Sequence, residues 1–271
     1  MTRLRRRIGR AAIFAVLCLV GVVMLFPFYF MGITAFRSYD QYLAGSGFSL
    51  DSWRVLFDNI PVVQQLINST IVTGGAVLII LAVSSMGGYA LAKLGFRGAS
   101  YVFLGVLAAM TVPMQSIIIP EFVNVSQVGL INQYLGAILV YAALGVPFAT
   151  FLMTAYYRGI PNELVEASLM DGASFLQIFV RIMVPMGVPA LVTVGVLQVI
   201  QIWGDLLIGL LFLQRPDVRT ITVGLATLQS SRMVDVPALM AGSIISALPA
   251  IIVYLIFQRY LVAGLTMGVN K

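Results

Sequence analysis

Six long stretches of this chain contain no Asp, Glu, Lys or Arg, and their lengths restrict the folds available to it. The stretches are residues 11–36, 59–92, 98–120, 122–157, 182–204 and 236–258. A helix needs roughly 20 apolar residues to cross about 30 Å of hydrocarbon, and each stretch is at least that long. Charged residues make up only 10% of the chain, against roughly 25% in ordinary soluble domains. We therefore predict an all-α integral membrane protein with about six transmembrane helices.

Two of the stretches are too long for one span and too short for two. Residues 59–92 and 122–157 should therefore each include a loop or a helix outside the membrane. In the second, a polar cluster before the apolar part indicates that loop: Asn124, Ser126, Gln127, Gly129, Asn132 and Gln133. The fifth span is expected to continue past Asp205 to Leu213. Prolines at positions 113, 147, 185 and 189 are expected to kink or break helices, either as hinges or as tolerated kinks.

The first stretch follows five arginines and has two interpretations. A secretory signal peptide also combines a basic start with an apolar core, but that core is about 7 to 15 residues long and precedes a small-x-small cleavage site. Residues 11–36 form a longer stretch, and no such site occurs near 28–36. We favour an uncleaved first transmembrane span.

The distribution of the 16 basic residues predicts the orientation. With six spans and a cytoplasmic N-terminus, eleven face the cytoplasm: Arg3, Arg5, Arg6, Arg7, Arg10, Lys93, Arg97, Arg158, Arg181, Arg259 and Lys271. The other five face outward: Arg37, Arg54, Arg215, Arg219 and Arg232. This positive-inside bias places both termini in the cytoplasm. Because the basic residues are split among loops, they indicate contact with anionic lipid at the N-terminus and no nucleic-acid binding.

The chain lacks residues that several kinds of chemistry require. It contains no His and a single Cys, Cys18 in the first span. An internal disulfide, a His/Cys metal cluster and a Ser-His-Asp triad are therefore excluded. A nucleotide-binding P-loop needs Gly-Lys followed by Ser or Thr, whereas Lys93 follows Ala and Lys271 follows Asn. We predict no catalytic residue, no metal ligand and no cofactor in this chain.

The predicted cytoplasmic segment between the fourth and fifth spans contains signals for two short helices. Pro161 suits the first turn of a helix, because its missing N–H costs nothing there. Gly172 can take the left-handed conformation that ends a helix, and Ser174 with Gln177 forms a capping box for the next one. We predict a helix at about 161–171, too short and too polar to cross the bilayer, followed by a glycine turn and a second helix.

This segment resembles the EAA loop of binding-protein-dependent ABC importer permeases. The similarity lies in Glu166-Ala167-Ser168, in Asp171-Gly172-Ala173, and in Ile182 and Pro185. Two positions depart from the family pattern, since Ser168 replaces an Ala and Val184 replaces a Leu. Both changes are small. In the family this loop is the coupling helix that sits in a cleft of the cytoplasmic ATPase subunit.

The resemblance extends over nearly the whole chain. Further similar segments lie at 66–70, 129–136, 203–205, 220–225 and 258–268. The third of them departs from the family's Trp-Asn-Asp at Gly204. Together they are most similar to the carbohydrate branch of the family, in particular to the maltose-type second permease.

The resemblance implies a type I ABC importer permease fold in a bacterial cytoplasmic (inner) membrane. It implies a non-catalytic permease subunit that forms a heterodimer with a second permease and works with two ABC ATPase subunits, which bind ATP and Mg. An extracytoplasmic solute-binding protein would deliver a sugar or sugar-like substrate. The implied coupling residues are Glu163, Glu166, Ala167, Ser168, Asp171, Gly172 and Ala173. The alternative is that Glu166 is a solvated surface carboxylate and Gly172 an ordinary helix stop.

The predicted organisation follows the chain. It comprises a basic cytoplasmic N-terminus at 1–10, a first span at 11–36, a periplasmic or extracellular segment at 37–66, a permease core at 67–260 containing the coupling loop 159–183, and a cytoplasmic tail at 261–271. In the maltose-type branch this tail reaches the ATPase interface. A frayed terminus is the alternative here.

Asp205 is a carboxylate within a predicted membrane span. A charge in that position is costly and usually faces a cavity or a partner. With Gln198, Gln201 and Trp203 it is a candidate lining for a sugar path. An indole stacks on a sugar ring, while amides and carboxylates bind hydroxyls. Alternatively, Asp205 lies near the outer end of its span, paired with Arg219 or capping a turn.

Two other classes of membrane protein compete with this interpretation. A secondary transporter driven by an ion gradient would usually contain several intramembrane carboxylates or histidines and inverted repeats. The sequence offers one candidate carboxylate and no clear repeat. A structural or assembly protein would give no reason for the helix-glycine-helix segment.

Overall fold

The computed structural model describes residues 2–229 and 235–266, with side chains described for 10–11, 13–229 and 235–260. Within these ranges the chain is helical and contains no β-strand. The helices are α1 (Thr2–Ala35), α2 (Tyr39–Ala44), α3 (Asp51–Asn59), α4 (Val62–Lys93), α5 (Ala99–Thr111), α6 (Met114–Gln127), α7 (Tyr134–Arg158), α8 (Asn162–Met170), α9 (Phe175–Ile178), α10 (Val184–Trp203), α11 (Leu207–Phe212), α12 (Ile221–Gln229) and α13 (Val236–Thr266). Arg232, Lys271 and the end of the predicted tail lie outside the described residues.

Several helical segments are long and apolar enough to cross a membrane. They are Ile13–Ala35, Val62–Lys93, Tyr134–Arg158, Phe175–Trp203 and Val236–Tyr260. The bent pair α5 and α6 provides a sixth span if the two helices are counted as one. This confirms the prediction of an all-α membrane protein with about six spans.

The third predicted span is broken at Pro113, one of the prolines that were expected to kink or break helices. Helices α5 and α6 meet at an angle of 99°. Pro113 lies at the break with an extended backbone, φ −69° and ψ 132°. Its ring disfavours a helical conformation in the preceding residue and removes a backbone N–H, so the helix ends before it.

The second stretch forms one continuous helix instead of a helix and a loop. Helix α4 contains 32 residues, which at 1.5 Å per residue is about 48 Å. Since this exceeds the hydrocarbon thickness, the ends of α4 extend beyond it, as the sequence predicted for an extramembrane part. In the fourth stretch, α7 begins at Tyr134 as expected. The loop before it is shorter than predicted, because α6 continues through Gln127.

The fifth predicted span ends earlier than expected. A π-helical turn, Phe179–Met183, joins α9 to α10, and Pro185 occupies the first turn of α10. Helix α10 ends at Trp203, and a separate short helix, α11, follows. The predicted continuation to Leu213 as one helix is therefore wrong.

Two compact units divide the chain. One comprises Met1–Val62 and Leu225–Ala247, and the other comprises Val63–Gly224 and Leu248–Lys271. In the first unit the Ser52 hydroxyl donates a hydrogen bond to the Ala35 carbonyl. In the second unit, buried side chains of α4, α7 and α10 pack together and form the hydrophobic core.

Close packing of α4 against α7 depends on Gly88. A Cβ atom at this position would lie 2.7 Å from the Met153 Cβ and 2.9 Å from the Thr154 nitrogen. Small residues of this kind let transmembrane helices approach closely, and van der Waals contact then stabilises their association.

Asn68, near the start of α4, organises the loop that precedes α12. Its side-chain amide donates to the Asp217 carbonyl at 3.0 Å and to the Arg219 carbonyl at 2.8 Å. Its Oδ1 accepts from the Tyr134 hydroxyl at 2.7 Å. The neighbouring Ser69 hydroxyl accepts from the Ile221 N–H at 2.9 Å. These bonds give the family-like segment 66–70 a structural role, because buried polar groups need partners.

Candidate functional site

The predicted coupling segment consists of α8, a glycine turn and α9, and it keeps the name coupling segment below. Helix α8 spans Asn162–Met170, one residue shorter at each end than predicted. Asp171 is its C-cap, and Gly172 follows with a φ of +80°. The Gly172 N–H donates to the Leu169 carbonyl and the Ala173 N–H donates to the Ser168 carbonyl, each with an N···O distance of 3.0 Å. This Schellman pattern satisfies the last carbonyls of the helix, and it confirms the predicted glycine turn.

The second short helix begins with the predicted capping box. The Gln177 N–H donates to the Ser174 hydroxyl at 3.3 Å, and the Ser174 N–H donates to the Gln177 side-chain oxygen at 2.8 Å. These reciprocal bonds satisfy two backbone donors that a helix start leaves unpaired. The direction of the chain after Gly172 is therefore fixed at both sides of the turn.

The outer surface of α8 combines acidic and apolar side chains. Glu163, Glu166 and Asp171 are exposed. Met170 is 88% exposed and Leu164 is 41% exposed. Charged groups beside unpartnered apolar side chains are typical of a surface that binds another protein.

Three other residues of the segment have different environments. Ala167 is exposed, and Ala173 is partly buried. The Ser168 hydroxyl donates to the Leu164 carbonyl at 2.6 Å. The Ser168 hydroxyl, which the Ala of the family pattern lacks, therefore has its hydrogen-bond partner within α8 itself.

A cavity of about 580 Å³ lies in the larger unit. Its polar lining comprises Tyr141, Gln198, Gln201 and Asp205, and most of its other lining residues are apolar. Gln198 is buried, whereas Gln201 is exposed. The size and the few polar groups are those of a small-molecule site. The structure thus brings three of the four predicted path residues to one cavity.

Asp205 caps the turn that leads into α11. Its Oδ1 accepts a hydrogen bond from the Ile208 N–H at 2.8 Å and one from the Tyr141 hydroxyl at 2.9 Å. These contacts match the alternative in which Asp205 caps a turn. Within the described residues, Arg219 forms no ion pair with Asp205. Its Nε donates instead to the Gln214 carbonyl at 2.8 Å.

Trp203 differs from the other predicted path residues. It is 8% exposed and does not line the cavity. Its carbonyl accepts a hydrogen bond from the Thr222 hydroxyl at 3.1 Å. Tyr141, which sequence reasoning missed, takes a place in the lining instead. A tyrosine in an apolar helix gave no periodic signal that would have singled it out.

No metal site is evident in the part of the chain that the structure describes. It contains no group of three or more His, Cys, Asp or Glu side chains close enough to hold an ion. The chemistry that the cavity offers is hydrogen bonding to a polar solute.

Comparison with known proteins identifies the family. The family described as the binding-protein-dependent transport system inner membrane component matches residues 84–267, more than half of the chain. The chain belongs to this family. The matched region of this inner membrane component includes both the coupling segment and the polar residues of the cavity.

Curated relatives agree with the family. The probable ABC transporter permease protein YurM of Bacillus subtilis is 31% identical over 97% of this chain and 89% of the relative. The diacetylchitobiose uptake system permease protein NgcG of Streptomyces coelicolor is 30% identical over 94% of this chain and 86% of the relative. The arabinooligosaccharides transport system permease protein AraQ of Halalkalibacterium halodurans is 36% identical over 74% of this chain and 71% of the relative.

A solved structure supports the fold of this inner membrane component. It is a crystal structure of a bacterial ABC transporter involved in the import of the acidic polysaccharide alginate. The TM-score is 0.79, and the match covers 94% of this chain and 96% of that chain at 22% identity. The predicted ABC importer permease fold is confirmed.

Proposed function

We propose that this inner membrane component is the permease subunit of an ATP-driven importer for a sugar or sugar-like solute. The observation that carries this proposal is the exposed helix-glycine-helix segment in a chain of this family. The names of relatives such as NgcG and AraQ support a carbohydrate substrate. The mixed polar and apolar cavity supports the same class, because hydroxyls need donors and acceptors while a sugar ring has apolar faces.

Coupling to ATP hydrolysis would run through α8. Two partner ATPase subunits close on ATP and Mg, and each grips one coupling helix, one from this chain and one from a second permease. Glu163, Glu166 and Asp171 would offer exposed carboxylates for charge-assisted hydrogen bonds to the ATPase cleft. Leu164 and Met170 would bury apolar surface there.

Substrate would pass the cavity lined by Gln198, Gln201 and Asp205. Their amides and carboxylate can bind sugar hydroxyls, and Tyr141 positions the carboxylate. Trp203 would support the cavity wall from its buried position. Its indole then has a packing role in place of the sugar stacking that the sequence suggested. An extracytoplasmic binding protein delivers the solute, and the permease heterodimer releases it into the cytoplasm.

Membrane orientation follows the positive-inside rule in this proposal. Both termini and the coupling segment lie in the cytoplasm of a bacterial cell, and the basic residues 1–10 lie near anionic lipid headgroups.

Solute uptake into proteoliposomes tests the energy source and the substrate. The chain is reconstituted with its co-expressed permease, ATPase and binding protein, and radiolabelled oligosaccharides are offered with ATP on the cytoplasmic face. We expect uptake of one oligosaccharide class that requires ATP and binding protein and is insensitive to ionophores. Uptake without ATP that ionophores abolish would instead support an ion-driven secondary transporter.

A further inference from the structure

The cytoplasmic end of α4 carries Tyr89 and Lys93. Both side chains donate hydrogen bonds to the coupling segment or to a residue that precedes it. The two residues are four positions apart, so they lie on the same face of the helix. Sequence reasoning used Lys93 for the charge balance of the loops and to exclude a P-loop, and it did not consider Tyr89. Their partners are distant in the sequence, so only the fold brings them together.

Lys93 contacts the start of α8. Its Nζ donates to the Ile160 carbonyl at 2.5 Å and to the Asn162 side-chain oxygen at 2.6 Å. Ile160 precedes the helix, and Asn162 is its first residue. A solvated surface lysine keeps its ammonium in water, whereas this ammonium makes two hydrogen bonds to one segment. These contacts fix the N-terminal end of α8 to α4.

Tyr89 contacts the other end of the coupling segment. Its hydroxyl donates to the carbonyl of Phe175, the first residue of α9, at 3.3 Å. Its ring stacks on Phe179, with ring centroids 5.4 Å apart. Tyr89 is only 5% exposed, so its hydroxyl needs a protein partner. The two ends of the coupling segment are thus bonded to a single face of α4.

We propose that Tyr89 and Lys93 are positioning residues that clamp the coupling segment to α4, so that both move as one unit during transport. This rests on the proposed function, in which an ATPase displaces α8. Without the clamp, a displacement of α8 would reach the membrane through the chain connections to α7 and α10 and through the packing of the buried Val165 in the core. With the clamp, it passes directly into α4.

Helix α4 is suited to carry this movement. It runs without a break from the clamp to Asn68, a distance of about 37 Å at 1.5 Å per residue. Asn68 holds the carbonyls of Asp217 and Arg219. A shift at the cytoplasmic end is therefore delivered to the loop before α12 at the opposite end of α4.

Reversible cross-linking tests the clamp. In a Cys18→Ser background, Lys93→Cys and Asn162→Cys are combined in the full complex, and solute moved per ATP is measured in proteoliposomes. We expect the double-cysteine variant to move about fivefold less solute per ATP than the Cys18→Ser complex. A short, reducible bifunctional thiol reagent should restore the ratio to within about twofold. Loss of uptake on cross-linking, reversed by reduction, would show that α8 must leave α4 and would overturn the proposal.

Conservative variants provide a second measurement. Lys93→Met and Tyr89→Phe remove the donors while keeping most of each side chain, and Lys93→Arg keeps a donor. Arg97→Gln is the control, because Arg97 is an exposed basic residue in the loop that follows. In complexes with equal subunit content, we expect solute per ATP to fall about threefold for each of the first two, and to remain near native for Lys93→Arg and Arg97→Gln. Native ratios in both donor-removing variants would contradict the clamp.

Amide hydrogen exchange separates failure of the clamp from failure of the proposed function. In the assembled complex, we expect residues 160–175 to exchange about tenfold faster in the Lys93→Met, Tyr89→Phe double variant than in the native chain. Unchanged exchange would refute the clamp, whatever drives transport. Faster exchange in a complex whose native form is not driven by ATP would support the clamp and reject the importer mechanism.

Discussion

Gly172 gives the coupling segment its shape because its backbone is left-handed, with φ +80°. An L-residue in this conformation costs roughly 1–2 kcal/mol. We predict that Gly172→Ala strains the turn and lowers ATPase stimulation by binding protein about fivefold. Gly45→Ala is a matched control, since Gly45 also ends a short helix with φ +74° and has no neighbour within 4 Å of an added Cβ. Equal stimulation in the two variants would contradict a special role for this turn.

Asp205 combines a structural role with a proposed role in solute binding, and two substitutions separate them. Asp205→Asn keeps an oxygen that can accept from the Ile208 N–H, whereas Asp205→Ala removes the cap at a cost of about 1 kcal/mol. We predict that Asp205→Asn lowers the melting temperature less than Asp205→Ala does but reduces uptake about tenfold, because a bond to a charged group contributes roughly 1.5–3 kcal/mol. Asp205→Ala should lower both. Native uptake by Asp205→Asn would remove the carboxylate from the solute path.

At the scale of the elements, close contact between α4 and α7 gives a direct stability prediction. Gly88→Ala would force the helices apart, because the added Cβ meets the backbone of Met153 and Thr154. We expect a loss of roughly 1–3 kcal/mol. Gly74→Ala in the same helix meets no atom within 4 Å, so it should be neutral or slightly stabilising. Thermal unfolding of the two variants in detergent measures the difference, and equal melting temperatures would contradict the packing argument.

The sequence predicted the elements well where local interactions determine them and less well where tertiary interactions do. The glycine turn and the capping box are local features, and both were predicted correctly because their residues satisfy one another within a few positions. The chain breaks at Pro113, one of the prolines expected to kink or break helices, but the sequence did not predict the 99° angle between α5 and α6. The contacts of Asp205 with Tyr141 join residues 64 positions apart, and no periodic pattern reports such a pair.

For the whole molecule, orientation in the membrane is the feature that basic-residue counting predicts. Single cysteines test it in a Cys18→Ser background. Ser46→Cys is expected outside and Met170→Cys, on α8, inside; both positions are exposed. An impermeant thiol reagent should therefore label Ser46→Cys in intact cells and label Met170→Cys only after the membrane is opened. The reverse pattern would place α8 on the side of the membrane opposite to the proposed ATPase partner.

In the proposed mechanism, α8 transmits the movement driven by ATP hydrolysis to this membrane component, and its exposed carboxylates contact the ATPase. The direct measurement is the ATPase activity of the complex in lipid, with and without liganded binding protein, for the native chain and Glu166→Ala. Asp58→Ala serves as the control, because it removes an exposed carboxylate from α3. We expect binding protein to stimulate the native complex and Asp58→Ala equally, and Glu166→Ala to lose at least about fivefold of this stimulation while retaining its subunits. Full stimulation of Glu166→Ala would contradict the claim.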